Sequence, residues 1–431
     1  MILRIAQMGI FIMSKSSGNQ QLAKSSIDYW KLSYMKRVII FGCGLIGFYI
    51  VKDIVSNWKV DEITVVDDFE DNLKNVEELN RKLKIENKEI TIIPIKKNIV
   101  NDKELLVEVA RGSLVGIGSL PHSVSKYAMD ICIEAKVNFV DLVYDDHLSG
   151  REKINDLAIK SGISVIPAMG VAPGLSNVMV AEGVNKFDSV DSVKIYVGGI
   201  PEHRIAPFDY KTVFSAASVV NEYIRDARIR RNGKMIKLPA LSEVENVSFF
   251  SYNKGEFEAF LTDGLSTLPE SFPNIPNMEE KTVRWRNHTE KLILLRGLGL
   301  LSHEKIKISI SGVEVAPSEV LAALFRDKLK FLDDDRDVTL MKVEVVGTKG
   351  GKVFKYIQEM VDRYDEVSHV TSMARTTGIT CSVVAEILAN RKFSETGFFA
   401  PEKAIKDEHY ITLVNGLTRR GIFINEAMVR I

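Results

Sequence analysis

Short runs rich in valine and isoleucine alternate along this chain with stretches whose apolar residues recur every three or four positions. Arg37–Phe41, Ile63–Val66, Glu89–Ile95, Leu114–Ile117, Phe139–Val143 and Ser164–Pro167 read as six strands. Phe48–Asn57, Asp102–Ala110 and Val124–Ala135 read as helices between them. Apolar strands alternating with helices in this way build an α/β domain, a doubly wound parallel sheet covered on both faces. From Ser192 the rhythm changes. Val193–Val197, Val247–Phe250, Phe257–Leu261 and Met341–Val346 are strand-like but separated by long polar connections, which predicts a second, α+β domain. Gly347–Gly351 is expected to form a hairpin turn, Thr380–Ala389 a helix and His409–Arg419 the last helix.

At 431 residues the chain exceeds a single ordinary core. Lysine plus arginine equal aspartate plus glutamate at 57 each, so no global basic field attracts nucleic acid or an anionic membrane. Cys43, Cys132 and Cys381 are far apart, which suits a reducing cytoplasm and gives neither a disulfide framework nor a metal cluster. The apolar run inside Met1–Met13 is too short to span a bilayer. Residues 1–34 are expected to be a disordered or untranslated extension, with translation starting at Met35.

Gly42-x-Gly44-x-x-Gly47, with Leu45 and Ile46 inside it, lies between a predicted strand and a predicted helix. In a Rossmann-type turn the first glycine makes the tight bend, the second lets backbone approach a pyrophosphate, and the third lets helix and strand pack closely. The helix N-terminus then offers free N–H groups to phosphate. Asp67, about 20 residues past the third glycine, suits the adenosine ribose hydroxyls. Asp68, Glu70 and Asp71 follow it, with no arginine or lysine before Lys74, so the expected cofactor is NAD rather than NADP. Ser119, Leu120 and Pro121 follow strand four, where the chain should pass the nicotinamide ribose.

Ala172-Pro173-Gly174-Leu175-Ser176-Asn177, Tyr196-Val197-Gly198-Gly199-Ile200-Pro201, Thr262-Asp263-Gly264-Leu265, Arg284-Trp285-x-Asn287-His288 and Thr371–Gly378 resemble the saccharopine dehydrogenase superfamily. Within it the chain is most similar to the lysine 6-dehydrogenase branch. The resemblance implies a Rossmann domain of residues 35–190 plus 370–431, and an α+β domain of residues 191–369 built on a mixed sheet. It also implies NAD-linked oxidation of the lysine ε-amine to 2-aminoadipate 6-semialdehyde and ammonia. A homo-oligomer, dimer or larger, is expected by the same resemblance. The sequence departs from the family's pattern at Arg286-Asn287 (usually Pro-Gly), Ser215-Ala216 after Phe214 (usually Ser-Pro after Trp), Asn98 (usually an acid) and Ser266 (often Arg).

Hydride loss from a primary amine needs an unprotonated nitrogen, yet a free lysine amine has a pKa near ~10.4. A desolvating pocket or a proton acceptor is therefore required. Asp141 and Tyr144, at the end of strand five, are the first candidates because open α/β sheets place ligands there. His288 is the second acid/base candidate. Arg284 is the expected carboxylate clamp, with Asp263 for the α-amine and Trp285 and Asn177 beside them. Ala172 and Pro173 are expected at the cofactor, opening a helix. Two rival readings are glutamate-forming saccharopine dehydrogenase chemistry, which would draw on Arg225, Arg228, Arg230 and Arg231, and a non-catalytic NAD-binding regulator.

Overall fold

A computed structural model describes residues 35–86, 88–143, 150–212 and 215–431. Tyr144, Phe214 and the extension 1–34 lie outside the described residues. The first part of the chain runs β1 (Arg37–Phe41), α1 (Leu45–Asn57), β2 (Glu62–Asp67), α2 (Glu70–Ile85), β3 (Thr91–Lys96), α3 (Lys103–Ala110), β4 (Val115–Gly118), α4 (His122–Ala135), β5 (Phe139–Asp141), α5 (Arg151–Ser161), β6 (Ser164–Ile166) and α6 (Leu175–Val184). Strands β1 to β6 pair in parallel in the order β6-β5-β4-β1-β2-β3. Val38, Ile40, Ile63, Val65 and Ile117 face one layer of helices, and Ile39, Phe41, Phe139 and Val165 face the other. Burial on both faces is why these strands are almost continuously apolar.

The second part runs β7 (Ser189–Pro201), α7 (Ala216–Ile224), β8 (Ala227–Arg231), β9 (Lys234–Leu238), β10 (Glu245–Phe249), β11 (Tyr252–Leu261), α8 (Leu268–Ser271), β12 (Asn277–Trp285), α9 (His288–Gly297), β13 (Ile306–Lys307), β14 (Glu314–Val315), α10 (Pro317–Lys328), β15 (Asp337–Lys349) and β16 (Lys352–Arg363). Its mixed sheet has the order β10-β11-β12-β7-β15-β16, with β12 parallel to β7 and the others antiparallel. The hairpin β15–β16 turns at Gly350-Gly351, both at positive φ, while Gly347 to Lys349 remain in the strand. The expected turn therefore began too early. Two left-handed residues are what a two-residue hairpin loop needs, and Gly350-Gly351 supplies them.

After Arg363 come α11 (Ser372–Ala389), β17 (Gly397–Phe398), α12 (Pro401–Ala404), α13 (Glu408–Arg419) and β18 (Ile424–Arg430). Helix α11 is buried along most of its length and packs with α1 in the core of the first sheet. It starts eight residues before the expected Thr380, because a carboxylate from the second sheet caps it. Asp337 accepts from the N–H groups of Ser372 and Met373 at 2.6 and 3.0 Å, and the Thr371 hydroxyl accepts from Ala374 N at 3.3 Å. β17 extends the first sheet beside β6. Residues 370–431 were expected in the first domain, but β18 lies in the second sheet, pairing with the otherwise open edge of β16. Among the described residues, no helix is long and apolar enough to cross a membrane.

Candidate functional site

The glycine turn between β1 and α1 is held by contacts that leave no room for side chains at two of its glycines. Gly42 has φ +91°, and a Cβ there would lie 2.3 Å from the carbonyl oxygen of Ser119. A Cβ on Gly47 would lie 2.2 Å from the carbonyl oxygen of Gly42. Gly44 differs, since a Cβ there would meet nothing within 4 Å. Open space in front of the second glycine, beside the free N–H groups of the first turn of α1, is the cradle a pyrophosphate requires. Leu45 and Ile46 continue this turn, with Leu45 exposed. Ser119 and Leu120 pack directly on Gly42, and Pro121 leads into α4.

Asp67 closes β2 and is buried. Its carboxylate accepts from Cys43 N at 2.6 Å, Phe69 N at 2.8 Å and the Asn72 amide at 3.1 Å. It therefore fastens the glycine turn to β2, a structural duty the sequence did not reveal. Asp68 lies outward and accepts from the Asn98 amide at 3.1 Å. Register also brings Lys96 opposite Asp67. Lys96, which ends β3, and Lys97 after it are both engaged by acids, Lys96 with Glu70 at 2.6 Å and Lys97 with Asp102 at 3.0 Å. Burial, with Asp67 beside it, pushes the Cys43 thiol up to about 12, so it is no nucleophile at neutral pH.

Ala172-Pro173-Gly174 does not open the helix as expected. The Ala172–Pro173 bond is cis, Gly174 has φ +128° as the N-cap, and α6 starts at Leu175. A Cβ on Gly174 would lie 2.3 Å from Gly170 O, so glycine is required for this close return of the chain. Asn177 is fully buried and its amide is spent within the protein. It accepts from Gly174 N at 3.3 Å and donates to Thr267 Oγ1 and Glu402 Oε2, each at 3.3 Å. The bonds tie α6 to the segment after β11 and to α12, and leave no free group for a substrate.

Asp141 ends β5 and is almost fully buried. It accepts from the Ser125 hydroxyl and from Val143 N at 3.1 Å, and burial pushes its carboxyl up to about 6. With His122, Ser125 and Lys126 it borders a cavity of about 20 Å³. That volume holds a single water and is too small for an amino acid.

Strand alternation divides the motif on β12 between two faces. Arg284 lies on one face. Trp285 lies on the other, 4.9 Å from Phe257 and donating to Pro201 O at 3.0 Å. Trp285 therefore belongs to a different core from Arg284 and cannot line the same pocket. Arg284 is enclosed, with its guanidinium 4.6 Å from the centre of the Tyr210 ring. It donates to Val283 O at 2.9 Å, to the Tyr223 hydroxyl at 3.3 Å and to Glu222 at 3.4 Å. These bonds and its enclosure leave a substrate carboxylate no direct approach, so Arg284 does not fit the expected clamp.

His288 opens α9 and is equally enclosed. Its Nδ1 lies 2.8 Å from Phe208 O, a pure acceptor, so Nδ1 carries the proton. Nε2 then accepts from the Tyr223 hydroxyl at 3.1 Å. Burial, with Arg284 next to it, pushes the imidazole down to about 3. A neutral ring bonded at both nitrogens is a structural member and not the expected acid/base. In the turn before it Asn287 adopts the left-handed conformation (φ +72°) that asparagine tolerates. Glu258 accepts from Asn287 N at 2.8 Å and Thr289 N at 2.6 Å.

Asp263, expected to receive an α-amine, is already engaged by Arg228 at 2.9 Å and Arg225 at 3.2 Å. Arg230 and Arg231, at the end of β8, are committed as well. Arg230 donates to Pro269, Phe272 and Ile275 carbonyls, and Arg231 pairs with Glu243 and Glu279. Among the described residues, no group of three or more His, Cys, Asp or Glu could hold a metal ion.

A glycine cradle on a doubly wound sheet, joined to a second part built on a mixed sheet, defines a two-domain protein of the nucleotide-binding Rossmann class. Comparison with known families makes this specific. The model of the saccharopine dehydrogenase NADP binding domain matches residues 38–165, and that of the saccharopine dehydrogenase C-terminal domain matches residues 170–422. The chain belongs to the saccharopine dehydrogenase family. It is 24% identical over 293 residues to the mitochondrial alpha-aminoadipic semialdehyde synthase of Rattus norvegicus, covering 65% of this chain but 30% of that protein. It thus spans under a third of that relative's length. It is 20% identical over 399 residues to the saccharopine dehydrogenase [NADP(+), L-glutamate-forming] of Schizosaccharomyces pombe, covering 77% of this chain and 87% of that protein. Among solved structures, the fold matches apo saccharopine dehydrogenase (L-Glu forming) of Saccharomyces cerevisiae with TM-score 0.75 at 17% identity, over 91% of this chain and 100% of that one. It also matches the homospermidine synthase of Legionella pneumophila in complex with NAD, with TM-score 0.62 at 10% identity, over 91% of each chain.

Proposed function

We propose that this protein is an NAD-dependent oxidoreductase of lysine metabolism that oxidises the ε-amine of L-lysine. The open cradle at Gly44 fits a pyridine dinucleotide, which when bound would accept a hydride. The ammonium form of lysine with NAD⁺ and water gives the semialdehyde, NADH, ammonium and a proton. Asp141 is our candidate for taking up the amine's proton. Its carboxyl at about 6 exchanges protons near neutral pH, and the adjoining cavity has room for one water to carry them. His288 and Arg284 stabilise the second domain instead.

The observation that carries the lysine reading is the state of the arginines. Saccharopine bears three carboxylates, yet Arg225, Arg228, Arg231 and Arg284 are bonded to acids and Arg230 to carbonyls. None of these arginines offers the extra carboxylate a free partner. The glutamate-forming reaction remains the second reading, favoured by the relative from Schizosaccharomyces pombe.

The choice of NAD rests on Asp67 and Asp68 beside the expected ribose site, with Lys96 and Lys97 neutralised by acids. A 2′-phosphate there meets like charge. Initial rates with the two cofactors test this: kcat/KM for NAD should exceed that for NADP at least about tenfold, roughly the worth of one charge-assisted contact. A preference for NADP refutes the role given to the two acids.

A further inference from the structure

Strand β12 carries Met278, Glu280, Thr282 and Arg284 on one face by simple alternation. Met278 is part of the core shared with Leu175 and Val178 of α6, so this face looks toward the first domain. Glu280 is 6% exposed, and its Oε2 has no hydrogen-bond partner among the described residues. A buried carboxyl without a partner is costly and calls for explanation.

The neighbouring chain is shaped around this carboxyl. A Cβ on Gly264 would lie 1.7 Å from Glu280 Oε1 and 2.0 Å from its Cδ, so only glycine allows the acid to lie there. This gives the Asp263-Gly264-Leu265 motif a physical reason. The same segment contains a second buried polar atom without a partner, Ser266 Oγ. Thr267, next along, is bonded to Asn177 of α6. The segment therefore lies at the seam between the helix after the Ala172–Gly174 turn and the second sheet. The groups that bear on Glu280 are Glu222 and Asp263, both acidic, and Arg225. Arg225 is held by Asp263, so Glu280 has no cation of its own.

We propose that Glu280 is the docking carboxyl for the α-ammonium group of the amino-acid substrate, with the Ser266 hydroxyl as a second acceptor. This deepens the reading given above and rests on it, since it takes a free amino acid as the substrate. Burial, reinforced by Glu222 and Asp263, pushes Glu280 up to about 8, so at neutral pH it is a neutral acid until a cation approaches. An arriving ammonium stabilises the ionised form. The carboxyl then gives its proton to solvent as the ion pair forms, and binding releases one proton at neutral pH.

The test compares wild type with Glu280→Gln, which keeps shape and neutrality, using NAD with L-lysine and with Nα-acetyl-L-lysine. Both amines present the same ε-amine, but only the first has an α-ammonium. Wild type should prefer lysine. In the variant the lysine KM should rise roughly 10- to 100-fold, the range of a charge-assisted hydrogen bond, with a smaller change in kcat and loss of the preference. Calorimetric titration of each amine into the NADH-saturated protein, which cannot turn over, in buffers of different ionisation enthalpy should show about one proton released when wild type binds lysine, and none with Nα-acetyl-L-lysine or with the variant. An unchanged lysine preference in E280Q, or an equal loss of kcat on both amines with unchanged KM, overturns the proposal. If wild type binds lysine without reducing NAD, the proposed reaction fails while the binding preference still judges Glu280. Binding of neither amine by wild type overturns both.

Discussion

Replacing His288 by glutamine removes one ionisable group from the second domain while keeping a donor for Phe208 O. In the folded protein the imidazole is pushed down to about 3 from an ordinary value of 6.5. A depressed basic group contributes stability that is fully present above its unfolded value and is lost as pH falls through its folded value. The whole gap, about 3.5 pH units, corresponds to ~5 kcal/mol at about 1.4 kcal/mol per unit. Between about pH 7 and pH 5 the unfolded chain becomes nearly fully protonated at this position while the folded chain does not. Roughly 2 kcal/mol of stability should disappear over that interval through His288 alone. Urea unfolding of wild type and His288→Gln at the two pH values isolates this share, because the other titrating groups are common to both proteins. The variant should be less stable at pH 7 by roughly 1–3 kcal/mol, through loss of the acceptor for the buried Tyr223 hydroxyl. Its further loss on going to pH 5 should be smaller than that of wild type by about 2 kcal/mol. Equal losses in the two proteins would refute the assignment of His288 as a buried neutral ring. A fall in kcat at unchanged stability would return it to catalysis.

The glycine turn separates folding from cofactor binding. Gly44→Ala should fold with an unchanged melting temperature, because its Cβ meets nothing within 4 Å, yet should weaken NAD binding by titration. Gly47→Ala should lose both, since its Cβ would lie 2.2 Å from Gly42 O. In the first domain Arg420 pairs with Asp53 at 2.7 Å, each side chain only 3% exposed. Arg420→Met leaves Asp53 uncompensated and should cost about 3–5 kcal/mol in urea unfolding. A loss under about 1 kcal/mol would mean that Ser382 and Asn57, which also bond Asp53, suffice to hold its charge.

The first sheet was legible because its strands are buried on both faces. Largely apolar runs such as Val38 to Phe41 and Ile63 to Val66 mark themselves, and β1 begins and ends where its pattern does. The second sheet was read in fragments. β15 and β16 run 13 and 12 residues, but only Met341–Val346 of β15 was read, because Asp337, Thr339 and Gly347 to Lys349 flank it with polar or small residues, and Lys355, Gln358 and Glu359 interrupt the apolar pattern of β16. The start of α11 was hidden because Thr376, Thr377 and Gly378 are weak helix formers and break the apolar period. It is helical through the Asp337 cap and through Thr376 and Thr380 hydroxyls returned to backbone carbonyls.

For the candidate site, local chemistry was readable and long-range pairing was not. Gly42, Gly44, Gly47 and Asp67 were found by spacing, whereas the arginines on Asp263 come from 35 residues away or more. Glu280 was missed because Glu279-Glu280-Lys281 looks like a solvated charge run. The signal was present in the strand period, which sets Glu279 and Glu280 on opposite faces and likewise separates Trp285 from Arg284.

The most direct measurement is NADH formation by the purified protein with L-lysine and with saccharopine under the same conditions. The account predicts turnover of lysine, with ammonia released in step with NADH, and little or none of saccharopine. Turnover of saccharopine with glutamate as product, and none of lysine, would contradict it.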